Sequence, residues 1–231
     1  MMSFLFLSLI AFHSGSLHAV NQMEGTSIKG EKESLPIVAS GDEESNSPEW
    51  TLNRVLIIAK DDIYLSYFTA VLDSLGVAYD VNSSGDDTTL IFQYPVIIWM
   101  TGGNSNYTIT SPEQWVLSRY LNRGGNLFIT GQDIGFDLVE CGLGVDFYLD
   151  YLHALYLSDD ANFYDITGMP GDPIGDGLSF SIKGGDGANN QWYPSVIDTL
   201  NGSVPVFKYD DPQRMFGGIR YEGTYRLVYF S

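Results

Sequence analysis

The sequence predicts an α/β fold, a three-layer and doubly wound structure whose mainly parallel sheet ends in a C-terminal hairpin. Two continuous apolar runs, Arg54–Ala59 and Pro95–Met100, have the composition of strands buried on both faces of a parallel sheet. Segments with helical periodicity follow both runs, which indicates helices on both faces of that sheet. Two further runs, Met215–Tyr221 and Tyr225–Phe230, are separated by Glu-Gly-Thr, which is typical of a hairpin.

The predicted elements of the first half alternate between strands and helices. In order they are strand Arg54–Ala59, helix Ile63–Leu75, strand Ala78–Val81, strand Pro95–Met100, a helix that begins at Ser111, and strand Asn126–Thr130. Gly76 ends the first helix. The second begins at Ser-Pro-Glu, in which Ser is the cap, Pro suits the first helical position and Glu is an acid in the first turn. The second half is predicted to contain a helix over Phe147–Leu157, a surface excursion over Gly168–Asn190 and a strand over Val204–Tyr209.

The N-terminal residues have the composition of an export signal followed by a linker. Residues 1–19 contain no Asp, Glu, Lys or Arg, include an apolar run from Phe4 to Phe12, and end at Ala19, which suits signal-peptide cleavage. Residues 20–49 are polar and rich in Ser, Glu and Gly, which predicts a disordered linker. The domain is therefore expected over residues 50–231, in a secreted protein or at the cell-envelope exterior. Since Ser231 directly follows an apolar strand, a C-terminal truncation of the domain is also expected.

The charge of the chain restricts the classes of partner. Its 29 acidic and 11 basic residues give a net charge of −18, which repels nucleic acid and anionic lipid. No segment after the export signal is long and apolar enough for membrane insertion. The expected partners are neighbouring domains, extracellular proteins or glycans. Cys141 is the single cysteine, so an intrachain disulfide is excluded.

Aspartate is abundant in the second half of the chain. Calcium sites, a saline habitat, or turns that favour Asp for its local hydrogen bonds would each account for this excess. The candidate calcium ligands are Asp159, Asp160, Asp172, Asp176 and Asp186. These aspartates lack the spacing of a known calcium loop, so Ca²⁺ is only a candidate. The sequence predicts no other cofactor.

The segment Gly124–Leu138, GGNLFITGQDIGFDL, has the outline of a nucleophile elbow. A strand leads into G-x-D-x-G and then into an apparent helix, and such a tight turn lifts its central side chain above the sheet. Asp133 occupies the central position. Two interpretations stay open: Asp133 caps the helix N-terminus through its carboxylate, or Asp133 is itself a nucleophile.

The ends of three predicted strands bring polar residues to one edge of the sheet. In open α/β sheets, ligands bind in the crevice at the carboxyl ends of the strands. The crevice candidates are Lys60, Asp61, Asp62, Thr101, Gly102, Gly103, Asn104, Gln132 and Asp133. The alternative is that these residues form ordinary turns of a fold without chemistry. Trp192 and Tyr193 beside Asn189-Asn190-Gln191 suit sugar binding, or packing at a domain interface.

The residues RVLIIAKDD, VIIWMTGGN, LSRYLNRGGNLFITGQDIGFDL and DYLHALYLSDD resemble the class I glutamine amidotransferase-like, flavodoxin-like fold. More narrowly, they are similar to a secreted module of that fold attached to exported bacterial and archaeal peptidases and other multidomain proteins. For the catalytic members of this fold, the resemblance implies a G-x-C-x-G elbow with a His and a Glu further along the chain. Here Asp133 replaces the cysteine and no histidine follows His153. The resemblance therefore implies a non-catalytic accessory module without glutaminase activity.

The elbow also resembles that of α/β-hydrolases with an aspartate nucleophile. A hydrolase using Asp133 is the alternative function, and it requires a base within hydrogen-bond reach. His153 is the candidate, although it follows Asp133 more closely than the hydrolase order requires. We expect His153 instead to be a partly buried, hydrogen-bonded histidine within a helix.

Overall fold

The computed structural model describes residues 50–184, 191–211, 213 and 215–231. Within these ranges the strands are β1 Val55–Ala59, β2 Tyr79–Asn82, β3 Val96–Gly102, β4 Asn126–Gly131, β5 Ala154–Ser158, β6 Asp165–Gly168, β7 Ser179–Ser181, β8 Val196–Thr199, β9 Val204–Tyr209, β10 Phe216–Glu222 and β11 Arg226–Phe230. The helices are α1 Leu65–Ser74, α2 Thr88–Ile91, α3 Ser111–Asn122 and α4 Val145–Tyr151, with a π-helical segment over Phe136–Glu140. The predicted export signal and linker lie outside the described residues.

One half of the sheet is parallel and contains the strands that the sequence predicts. Its order is β2-β1-β3-β4-β11, and each neighbouring pair is parallel. Ile57 pairs with Ile98 of β3, and Ile98 pairs with Phe128 of β4. The α/β class and the parallel alignment of β1, β3 and β4 are confirmed.

The other half of the sheet is antiparallel and is joined to the first through β11. The predicted hairpin is confirmed, because β10 and β11 pair antiparallel from Gly218 with Phe230 to Glu222 with Arg226. The other edge of β11 pairs parallel with β4, where Leu227 is matched with Leu127. From β10 the sheet continues through β9, β6 and β7, and β10 also pairs with β8 at Phe216 and Ile197, which brings the antiparallel pair of β8 and β5 into the same sheet.

Two apolar cores cover the two faces of the sheet, which gives three layers. On one face α1 supplies Phe68, Val71 and Leu72. On the other face α3, α4 and the β5–β8 pair pack against side chains such as Trp99 and Ile129. Successive residues of β3 reach opposite cores, Ile97 and Trp99 one and Ile98 and Met100 the other, because side chains alternate between the two faces of a strand.

The prediction for Phe147–Leu157 is wrong in its second half. The helix α4 ends at Tyr151, and β5 begins at Ala154. Between them His153 has a φ of 50°, a left-handed conformation that no helix continues through. The spacing of apolar residues in this segment is compatible with a helix or a strand. The strand forms because the segment pairs with β8.

The second half of the chain contains strands that the sequence did not predict. The excursion over Gly168–Asn190 contains the short strand β7 in its described part, and the strands β6 and β8 lie in segments without strong periodicity. No helix among the described residues is long and apolar enough to cross a bilayer.

Candidate functional site

The turn after β4 has the backbone geometry of an elbow. Asp133 has a φ of 63°, a region that few non-glycine residues adopt. Its carbonyl accepts a hydrogen bond from Asp137 N at 2.8 Å, which begins the helical turn that continues into the π-helical segment. The chain therefore reverses from strand to helix within Gly131–Gly135, as the sequence predicts for an elbow.

Two glycines allow the surrounding chain to approach this turn. A Cβ atom on Gly131 would lie 1.8 Å from Thr101 Oγ1, and the φ of Gly131 is 149°. A Cβ atom on Gly135 would lie 2.4 Å from Cδ2 of Tyr156 on β5. Both positions therefore require glycine, because any side chain would collide with β3 or β5.

The Asp133 carboxyl is buried and weakly hydrogen-bonded. Its side chain accepts one bond, from Gln132 Nε2 at 3.3 Å, and Asp133 is 6% exposed. Burial raises the pKa of this carboxyl, and the acidic neighbours Asp159 and Asp137 raise it further, whereas the Gln132 bond lowers it. This environment favours the neutral acid more than an ordinary aspartate site does.

The helix-cap interpretation of Asp133 is wrong, because its carboxylate does not accept the hydrogen bond that a capping residue receives from the helix backbone. Among the described residues, no backbone N–H donates to its carboxylate, and the π-helical segment has Gly135 at its N-terminal boundary without a side-chain cap. The reason is the left-handed φ of Asp133, since a capping residue has an extended backbone conformation that aims its side chain at the helix.

A second acid of the elbow, Asp137, holds the loop that follows β3. Its two carboxylate oxygens accept bonds from Tyr107 N at 3.1 Å and from the backbone and hydroxyl of Thr108 at 2.8 Å. This buried aspartate was not among the predicted site residues. It is a fixed structural acceptor, and its charge adds to the negative field at Asp133.

The crevice candidates after β1 divide into two groups. Lys60 turns away from the crevice, because its Nζ donates to the buried Glu113 Oε1 at 2.6 Å. Asp61 accepts from Gly103 N at 3.2 Å and from Ile63 N at 3.0 Å, so it links the ends of β1 and β3. Asp62 is exposed.

The candidates after β3 complete the same edge. Asn104 Nδ2 donates to the carbonyl of Lys60 at 3.2 Å, and the φ of Gly102 is 59°. Thr101 is fully buried, and its Oγ1 has no hydrogen-bond partner among the described residues. Gln132 N donates to Gly102 O at 3.2 Å, which places the ends of β3 and β4 side by side.

The structure separates His153 from Asp133. The Nε2 of His153 lies 2.9 Å from Tyr225 OH, and its ring stacks on Tyr221 at 3.8 Å. Tyr225 precedes β11 at the amino ends of the parallel strands, whereas Asp133 follows the carboxyl end of β4. Four to six residues of strand, on the order of 15–20 Å, lie between them.

The β5 strand brings two further groups to the elbow. Tyr156 packs against Gly135, and burial followed by the charge of Asp159 raises the pKa of its hydroxyl. Burial, Asp160 and Glu140 raise the pKa of Asp159. Sequence reasoning missed Tyr156 because it assigned β5 to a helix; the alternation within ALYLS, followed by two aspartates, was the available signal.

An aromatic loop is attached to the elbow from the other side. Trp192 N donates to Gln132 Oε1 at 2.7 Å, while the Trp192 side chain is 63% exposed. Its carbonyl accepts from Tyr164 OH at 3.1 Å. Trp192 and its neighbour Tyr193 therefore stand at the rim of the crevice rather than in a core.

Two of the candidate calcium ligands, Asp160 and Asp172, have other partners in the part of the chain that the structure describes. Asp172 pairs with Arg220 at 2.7 Å and accepts from Ile174 N and Gly175 N. Asp160 accepts from Asn162 N at 2.7 Å. No group of three or more metal-ligating side chains forms among the described residues. Asp186 lies outside them.

Comparison with known proteins gives the fold. No protein-family model and no curated protein matches the chain. A solved structure described as a GMP synthase subunit from Thermoplasma acidophilum is similar at 11% identity and a TM-score of 0.52, covering 77% of this chain and 81% of that chain. A ThuA-like protein from Bacteroides uniformis is similar at 12% identity and a TM-score of 0.52, covering 77% and 80%.

The fold is glutamine amidotransferase-like. Identities of 11–12% support this relationship at the level of fold alone. Asp133 is the central residue of the elbow turn, and Cys141 lies exposed at the end of the π-helical segment.

Proposed function

We propose that this chain is a non-catalytic binding module of an exported protein, and that the crevice at Asp133 holds its partner. The partner is a neighbouring domain, an extracellular protein or a glycan. The observation that carries the proposal is an elbow of intact backbone shape whose central residue is a buried acid, with His153 at the opposite edge of the sheet.

Acyl-transfer chemistry of the amidotransferase type requires a thiolate beside a base. Cys141 is exposed and lies at the end of the π-helical segment, beyond the turn. This position of Cys141, together with Asp133 at the centre of the turn, supports the proposal of a module without amidotransferase chemistry.

The rim of the crevice supports binding. The exposed aromatic and aliphatic side chains of the described residues include Leu157, Phe163, Trp192 and Tyr193. Trp192 is attached to the elbow through Gln132, and an aromatic face beside buried acceptors suits a glycan or a peptide. A net charge of −18 argues against nucleic acid.

Export of the protein rests on the sequence of residues 1–19, which lie outside the described residues. Expression of the full chain with a C-terminal tag, followed by N-terminal sequencing of the material in the medium or envelope fraction, tests it. We expect a mature N-terminus at Val20; a chain retained in the cytoplasm with residue 1 intact contradicts the export proposal.

A hydrolase that uses Asp133 is the second candidate function. The observation that favours it is the left-handed φ of Asp133, since strained backbone is often retained at reacting residues. Among the described residues, however, the Asp133 carboxyl is hydrogen-bonded only to the amide of Gln132, and no histidine or second acid bonds to it as a base.

A turnover screen with matched variants tests both candidates. The native chain and Asp133→Asn are incubated with ester, epoxide and amide substrates, and we expect no turnover from either. Turnover by the native chain that Asp133→Asn abolishes overturns the non-catalytic proposal.

A binding screen tests the crevice itself. Glycan and peptide arrays are probed with the native chain, with Trp192→Ala, and with Trp115→Ala as the control. Trp115 is 55% exposed on α3 and stacks on Arg119. We expect binding that Trp192→Ala weakens and Trp115→Ala leaves unchanged; equal losses from both variants contradict a site at the elbow.

A further inference from the structure

We infer that the crevice beside Asp133 binds an organic cation with several N–H donors, of the guanidinium or primary ammonium type. The inference rests on the proposed function of the same crevice and names the chemistry of its ligand. It follows from the unpartnered acceptors around the elbow, from their uncompensated charge and from the aromatic rim.

Unpartnered polar atoms cluster at the elbow. In the described part of the chain, buried atoms without a hydrogen-bond partner include Tyr156 OH, Asp159 Oδ1, Gln191 Oε1 and Thr101 Oγ1. Tyr156 packs on Gly135, the charge of Asp159 acts on Asp133, and Gln191 precedes the Trp192 that bonds to Gln132. A buried polar group without a partner is unfavourable, so a ligand that satisfies these atoms binds more tightly.

Thr101 points at the elbow independently of the acidic groups. Its side chain is fully buried, and its Oγ1 lies 1.8 Å from the position that a Cβ atom of Gly131 would take. The hydroxyl is therefore directed at the first residue of the turn and not at its own strand.

The free atoms of this cluster are mostly acceptors. The carboxylate of Asp159 and the amide oxygen of Gln191 only accept, and Asp133 receives a single long bond from Gln132. Hydroxyl groups such as Tyr156 OH can also accept. A matching ligand must therefore bring more donors than acceptors, as guanidinium and ammonium groups do.

No positive charge of the protein neutralises these acids among the contacts of the described residues. The neighbours that act on Asp133 and Asp159 are acidic or neutral. Three basic side chains are paired elsewhere, Lys60 with Glu113, Arg220 with Asp172 and Arg54 with Asp80. A cationic ligand would supply the missing charge, whereas an anion would be repelled.

The rim already holds an ammonium group. Lys183 Nζ lies 4.1 Å from the ring centroid of Tyr164 and 5.0 Å from that of Trp192. Both distances are within the range of cation–π attraction, so the aromatic pair that borders the crevice is suited to cations. A bare metal ion fits less well, because no group of three metal-ligating side chains forms among the described residues.

Thermal shift and isothermal titration calorimetry of the full chain test the inference. The probes are L-arginine, L-lysine and spermidine, and the matched neutral compounds are L-citrulline and L-norleucine. Asp133→Asn and Asp159→Asn remove one charge each from the crevice, and Asp176→Asn, at an exposed aspartate, is the control for net charge. Circular dichroism verifies that each variant is folded.

We expect at least one cationic probe to raise Tm and its neutral analogue to leave Tm unchanged. The affinity should fall about tenfold or more in Asp133→Asn and Asp159→Asn and stay unchanged in Asp176→Asn. Equal binding of arginine and citrulline, equal effects of all three variants, or no binding of any cation overturns the inference. Crevice binding of a neutral glycan alone overturns it too, but leaves the proposed binding function intact; an Asp133-dependent turnover overturns that function instead.

Discussion

At the scale of single residues, Asp133 combines two unfavourable features, a left-handed backbone and a buried carboxyl. Both are tolerated better by asparagine, which adopts positive φ readily and carries no charge. The glycines on either side of it have no such freedom, because Thr101 and Tyr156 occupy the space of their missing side chains.

We expect Asp133→Asn to stabilise the fold by about 1 kcal/mol at neutral pH. Because the folded pKa of Asp133 is raised, the native state binds protons more tightly than the unfolded chain, so the stability present at acidic pH is lost as pH rises through the folded pKa. The gain from Asn should therefore shrink as pH falls towards 4. Urea unfolding across this range checks it, and a gain that is independent of pH contradicts the charge argument.

Asp133→Ala should be less stable than Asp133→Asn, because alanine keeps the strained φ and leaves the Gln132 amide without an acceptor. A helix cap would predict equal recovery by Asn and Ser. Thermal unfolding of the Ala, Asn and Ser variants distinguishes the two interpretations.

Gly131→Ala should destabilise the fold by about 3 kcal/mol, since its Cβ would overlap Thr101 Oγ1 and its φ disfavours a side chain. Thr101→Ala should recover part of this loss in the double variant. Urea unfolding of the two single variants and the double variant measures the coupling; strict additivity contradicts the overlap.

His153 gives the fold a pH dependence of the opposite sign. Burial lowers its pKa, an effect that Asp150 opposes only in part, so the folded state favours the neutral ring. Its contribution is fully present above the unfolded pKa and is lost as pH falls from about 6.5 through the lowered folded value. The difference in unfolding free energy between His153→Phe and the native chain should therefore move in favour of the variant from pH 8 to about pH 5. A constant difference contradicts a buried neutral His153.

At the scale of elements, Glu113 joins α3 to β1 and to the loop before α2. Glu113 is 1% exposed and accepts from Lys60 Nζ, from Thr110 N and from Gly85 N at 3.3 Å. Glu113 therefore belongs to the capping box of α3 and also holds Lys60, which follows the end of β1.

Glu113→Ala should cost about 3–5 kcal/mol, because it leaves Lys60 and two N–H groups unpaired in a buried place. Glu222→Ala is the control: Glu222 pairs with Arg226 at 3.2 Å on the surface, and its loss should cost less than about 1 kcal/mol. Comparable losses from both variants in urea unfolding contradict the anchoring role.

The sequence predicted the elements that carry their own pattern and missed those that depend on distant partners. The strands β1, β3 and β4 are continuous apolar runs, and α3 has a cap, so each is recognisable locally. By contrast, β5 is defined by pairing with β8, some forty residues away, and by the positive φ of His153. The elbow was visible through its glycines, but Tyr156 and Asp159 reach it only through β5.

At the scale of the whole molecule, the composition of residues 20–49 predicts that the folded domain does not need them. Trp50, by contrast, packs on Tyr120 with ring centroids 5.6 Å apart. A chain that begins at Trp50 should therefore have the Tm of the chain that begins at Val20. A fall of many degrees in differential scanning calorimetry contradicts this prediction.

The position of β11 between β4 and β10 sets the order in which the protein can be completed during synthesis. Leu127 of β4 pairs with Leu227, so this edge of β4 has no strand partner until residues 226–230 leave the ribosome. Until then the nascent chain exposes an apolar, unpaired strand edge, the feature that most favours intermolecular pairing. A slow translation step late in the message would prolong this exposure, whereas a holdase bound to β4 would protect it.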